Sequence, residues 1–67
     1  SLPEDRMIML EKTLRKLPIE VREAIILKYY QNMTFEEIAA ITGDSTSAVK
    51  MRIYRGLEKI KQTMEKK

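Results

Sequence analysis

The sequence predicts an all-α fold: a compact four-helix domain ending in a helix-turn-helix with a long basic recognition helix. Three observations carry this prediction. Apolar residues recur at intervals of three and four along most of the chain. Two prolines, a capping-box spacing and a glycine interrupt that rhythm where helices start and stop. Leu, Ile, Val, Met and Ala are abundant while aromatics are only 6% of residues and Trp is absent, which suits close-packed helices better than pleated sheets. The 67 residues leave room for one domain, because a chain of this size buries only about 60% of its unfolded surface.

The first helix is expected over 4–16. Pro3 is tolerated in a first turn, and Glu4 and Asp5 complement the positive end of the helix dipole. Met7, Leu10, Leu14 and Leu17 form its apolar stripe. Pro18 ends it by pushing Leu17 out of the α region, and opens a second helix over 19–31 with Glu20 and Glu23 in its early turns. In that helix Ala24, Ile25, Ile26, Leu27, Tyr29 and Tyr30 are interrupted only by Lys28, a band wider than one neighbour needs, so cover from two sides is expected. Either this is the central helix of a bundle, or Ile26, Tyr30 and Phe35 form a groove for a partner helix.

Thr34-Phe35-Glu36-Glu37 has the spacing of a capping box and starts a third helix over 35–42. Phe35, Ile38, Ala39 and Ile41 are expected to face inward, and Gly43 supplies the left-handed residue that closes the helix. Asp44 or Ser45 caps a fourth helix over 46–65, whose apolar face is Val49, Ile53, Leu57, Ile60 and Met64. Lys66 and Lys67 are expected to fray.

Charge is distributed unevenly. The net charge is +3, yet from Lys50 onward seven bases face two acids, a net of +5, leaving −2 on residues 1–49. A positive segment on a mildly acidic body is the electrostatic footprint of a phosphate-binding element. A membrane-surface helix shares that description, but such helices usually stand alone with bulky aromatics, and no apolar run approaches the roughly 20 residues that span a bilayer. No membrane partner is expected. Cysteine and histidine are both absent, which excludes disulfides, the usual zinc sites and imidazole- or thiolate-based triads. Glu36 and Glu37 are explained by capping, and nothing forms a glycine-rich phosphate loop or metal set, so neither enzymatic activity nor a cofactor is expected.

The informative spacing is Ile38, Ala39, Gly43, Val49 and Ile53 across a short helix, a glycine turn and a basic helix. A helix-turn-helix needs a small residue where its helices cross (Ala39), a glycine in the turn (Gly43) and an apolar anchor under the recognition helix (Val49). The N-terminal half of a recognition helix points at base edges, so its solvent-facing positions, Ser47, Lys50, Met51, Tyr54 and Arg55, are the candidates for reading sequence. Arg52, Lys59 and Lys61, with Thr34 at the cap of the preceding helix, are the candidates for holding phosphates, contacts that position rather than specify.

These residues resemble a known family. Leu17-Pro18 with Arg22, Ile26-Leu27 with Tyr29-Tyr30, Met33-Thr34 with Glu36-Glu37-Ile38-Ala39, and Ala48-Val49-Lys50-Met51-Arg52-Ile53-Tyr54-Arg55-Gly56 are similar in order and spacing to region 4 of the extracytoplasmic-function (ECF) sigma factors. The resemblance covers almost the whole chain. It implies a cytoplasmic bacterial protein that reads the upstream, minus-thirty-five-type promoter element in double-stranded DNA and docks on the β flap of core RNA polymerase, with an anti-sigma factor as a further partner. It also implies a fragment of a longer sigma factor, since such factors need another domain to melt DNA. Three positions depart from the family pattern: Thr42 and Asp44 replace apolar residues, and Met51 replaces a small hydroxyl residue. Two other readings compete. A free-standing helix-turn-helix regulator dimerising through its first or last helix predicts palindromic binding, and a protein-interaction domain predicts no salt-dependent affinity for DNA.

Overall fold

The computed structural model describes residues 3–65. Lys66 and Lys67, expected to fray, lie outside them. The described residues form four helices: α1 (Pro3–Lys16), α2 (Ile19–Tyr29), α3 (Phe35–Thr42) and α4 (Thr46–Glu65). At about 1.5 Å per residue the 20 residues of α4 extend for about 30 Å, which sets the long axis of a molecule 38 Å by 19 Å by 15 Å. The other three helices pack along it, and α2 also touches α1 and α3.

The core draws two or three residues from each helix or its immediate end. Leu14 and Leu17, Ala24 and Ile25, Ile38 and Ala39, and Val49, Ile53 and Ile60 form one buried cluster. Ile38, Val49 and Ile53 are 0% exposed, so the helix-turn-helix itself holds the most deeply buried side chains. Thr13 is a buried polar residue that the apolar pattern does not reveal; its hydroxyl donates to the Met9 carbonyl at 2.8 Å, which removes the cost of burying it.

The boundaries follow local chemistry. Thr34 Oγ1 accepts from the Glu37 N–H at 3.0 Å while the Thr34 N–H donates to Glu37 Oε1 at 2.8 Å, a complete capping box. Gly43 takes φ 78° at the end of α3, where the N–H groups of Gly43 and Asp44 both reach the Ala39 carbonyl. The cap of α4 is Ser45 rather than Asp44: Ser45 Oγ accepts from the Ala48 N–H at 3.1 Å.

Three expectations are corrected. Helix α2 stops at Tyr29 instead of continuing to 31, because Asn32 adopts φ 57° and lets the Met33 N–H return to the Leu27 carbonyl at 3.1 Å. Met7 is 53% exposed, since α1 reaches the core only from Leu10 onward. Ile41 is 61% exposed: at about 100° per residue it falls outside the arc that Phe35, Ile38 and Ala39 present to the neighbouring helices. Tyr29 and Tyr30, at the end of the apolar band of α2, are also exposed.

Candidate nucleic-acid interface

The same angular arithmetic divides α4 into two faces. Val49, Ile53, Gly56 and Ile60 are buried on one side. Ser47, Lys50, Met51, Tyr54 and Arg55 are all exposed on the opposite side, within the first half of the helix. Lys61 continues that exposed face toward the C-terminus, and Lys59 lies on its flank, exposed as well. The five base-proximal candidates therefore share one surface, anchored from beneath by Val49 and Ile53.

Two of them have a structural support that their spacing does not reveal. The Phe35 ring, at the first position of α3, meets the Tyr54 ring edge-on with centroids 5.9 Å apart and planes at 72°. Lys50 Nζ lies 5.5 Å from the same ring centroid and Lys28 Nζ, from α2, 4.4 Å from it. Phe35 thus links α2, α3 and the recognition helix, and it brings Lys28 beside the basic face. Lys28 reads in the sequence only as an interruption of an apolar band, so its place beside the basic face has no local signal.

Arg52 is set apart from the other bases. Its guanidinium donates to Asp44 Oδ2 at 2.8 Å across the turn before α4, with the two side chains 24% and 35% exposed. The hydrogen bond from Arg52, and secondarily one from Thr42, holds the Asp44 carboxyl below the usual carboxylate range. Thr34 is exposed at the start of α3, its oxygen engaged by Glu37 and its O–H still available as a donor.

The three residues suggested for a partner groove separate. Ile26 and Tyr30 line an open concavity of about 370 Å³ between α1 and α2, together with Glu11, Leu14, Arg15 and Arg22. Phe35 is not among its lining residues and packs at the recognition helix instead. Among the described residues, no helix is long and apolar enough to cross a membrane.

Gly56 is buried on the inner face of α4. A Cβ there would sit 2.5 Å from Val21 Cγ1 and 2.8 Å from Ile25 Cδ1, so α2 and α4 approach each other across a glycine.

Residues 7–60 match the family described as sigma-70, region 4. The chain is 43% identical to RNA polymerase sigma factor SigV of Bacillus subtilis (strain 168), over 73% of this chain and 30% of that protein. It is 37% identical to RNA polymerase sigma factor CarQ of Myxococcus xanthus, over 76% of this chain and 29% of that protein. It is 35% identical to ECF RNA polymerase sigma factor SigW of Bacillus subtilis (strain 168), over 94% of this chain and 37% of that protein. The chain thus spans about a third of the length of these relatives. Fold, motif order and the extent of the match agree, and the chain belongs to the sigma-70 region 4 family, alongside the ECF RNA polymerase sigma factors.

Proposed function

We propose that this domain reads a minus-thirty-five-type promoter element in duplex DNA, as the C-terminal domain of a sigma factor that directs RNA polymerase in transcription initiation. The observation that carries the reading is the two-faced α4: five exposed side chains able to touch base edges lie opposite an anchor of buried Val49 and Ile53. Lys50 and Arg55 carry donors for guanine O6 and N7, while Met51 and Tyr54 offer apolar contact to a thymine methyl, with Ser47 at the helix start. Lys59 and Lys61 hold phosphates as the helix leaves the groove, Thr34 donates from the α3 cap, and Lys28 adds a cation beside Phe35.

The concavity at Ile26 and Tyr30 is apolar at its centre and is flanked by Arg15, Arg22 and Glu11, a surface suited to an apolar segment of the polymerase β flap. An anti-sigma factor covering the same surfaces is the natural inhibitor. The setting is the bacterial cytoplasm, where promoter DNA and polymerase meet.

Enrichment of duplexes from a random pool on the purified domain tests the reading. A short asymmetric motif is expected, bound with an affinity that falls as salt rises. An inverted repeat would point to a dimeric regulator, and binding indifferent to salt would remove DNA as the ligand.

A further inference from the structure

Asp44 has no role left in capping, because Ser45 supplies the oxygen that closes the first turn of α4. Its carboxylate instead faces the reading helix and takes a hydrogen bond from Arg52 eight residues on, at 2.8 Å. The carboxylate is attached to a constrained backbone: Gly43 is left-handed and the Asp44 N–H is bound to the Ala39 carbonyl at 3.2 Å. An anion fixed at this turn sits beside the end of the helix that enters the groove, well within the screening length of about 10 Å at 0.1 M salt.

We propose that Asp44 is a built-in counter-charge that cancels Arg52, so the domain engages the DNA backbone with one effective cation fewer than its recognition helix carries. The proposal rests on the DNA reading given above. A guanidinium has five N–H donors, so the bond to Asp44 does not exhaust its capacity for a phosphate. Charge, however, is cancelled whichever way the free donors point: a phosphate drawn to Arg52 is repelled by a carboxylate at nearly the same distance. Counterion release counts charge, with a slope of about −0.9 in log affinity against log salt for each phosphate neutralised. The pair therefore lowers the sequence-independent attraction while leaving Lys50, Met51, Tyr54 and Arg55 untouched. The base contacts then make up a larger share of the binding free energy.

The test is the salt dependence of binding to two duplexes, one enriched from a random pool and one of scrambled sequence, for the parent, Asp44→Asn and the Asp44→Asn/Arg52→Ala double variant. Asparagine keeps the size and one acceptor oxygen while removing the charge and turning the second oxygen into a donor; equal helicity and a cooperative melt by circular dichroism verify that all three are folded. Asp44→Asn is expected to steepen the slope by about 0.9 on both duplexes, so that affinity falls about 3.5-fold further between 50 and 200 mM salt. The double variant is expected to return to the parent slope. A slope unchanged by Asp44→Asn, or weaker binding on both duplexes at every salt concentration, overturns the proposal and leaves the DNA reading intact. A parent chain with no salt-dependent affinity for either duplex sinks the DNA reading and this proposal with it.

Discussion

The edge of one ring rests on the other where Phe35 meets Tyr54, at a centroid separation of 5.9 Å and an interplanar angle of 72°. The contact joins the first residue of α3 to the exposed face of α4, and Lys50 reaches the same Phe35 ring. A side chain that reads bases benefits from being held in place before DNA arrives, since ordering a rotamer-rich group on binding costs about 0.5 to 1.5 kcal/mol. Phe35 provides that hold for Tyr54 and Lys50, two of the residues proposed above to read bases.

Replacing Phe35 by Leu keeps an apolar residue against the core but removes the ring. An edge-to-face pair contributes about 0.5 to 1.5 kcal/mol beyond area burial and a cation over a ring about 0.5 to 1 kcal/mol. The ratio of affinities for preferred and scrambled duplex is expected to fall by about three- to tenfold, measured by fluorescence anisotropy in competition. An unaltered ratio would mean that Tyr54 and Lys50 order themselves without Phe35.

Arg55 and Lys61 test the proposed division between reading bases and holding phosphates. Arg55→Ala is expected to cost about 1 to 3 kcal/mol on the preferred duplex and to flatten discrimination at one position. Lys61→Ala is expected to weaken all sequences alike and to lower the salt slope by about one. Equal weakening on every duplex for Arg55→Ala contradicts its assignment to a base.

Gly56→Ala sets two effects against each other. Alanine gains about 1 kcal/mol of helix propensity over glycine, whereas overpacking a filled contact costs about 1 to 3 kcal/mol. The new Cβ meets Val21 Cγ1 at 2.5 Å, and a β-branched side chain on a helix has essentially one rotamer, so it cannot swing away. A net destabilisation of about 1 kcal/mol is expected in urea denaturation. A raised midpoint would show that α2 and α4 part at no cost.

Asp44 supplies a test that needs no DNA. Its folded carboxyl is depressed by Arg52 first and Thr42 second, so it favours the folded state at pH values above the ordinary Asp range. That contribution is lost as pH falls through the depressed value. Titration followed by NMR on the Asp44 side chain is expected to give a midpoint below that of an ordinary Asp, and Arg52→Ala is expected to raise it. A midpoint indifferent to Arg52 would show that the pair is not formed in solution.

Local rules account for what is legible in the sequence. Apolar intervals of three and four place α1, α3 and α4 to within a residue, because helix periodicity and capping act over three or four neighbours. Thr34 with Glu37 and the left-handed Gly43 follow from the same reach. The end of α2 falls two residues earlier than the sequence indicates, because the chain turns back on Leu27 through the left-handed Asn32.

The amino-acid order also determined the opposition of apolar and basic faces on α4, since that opposition is a property of one helix. Tertiary structure alone decided which side chains meet across helices. Arg52 joins Asp44 across the turn, Lys28 and Lys50 share the Phe35 ring, and Gly56 admits Val21 and Ile25. It likewise left Met7 and Ile41 in solvent although their positions read as inward. The physical reason is common to all of these. Periodicity says that a helix has an apolar side, but how far that side extends and what touches its edges depend on where neighbouring helices end and how closely they cross.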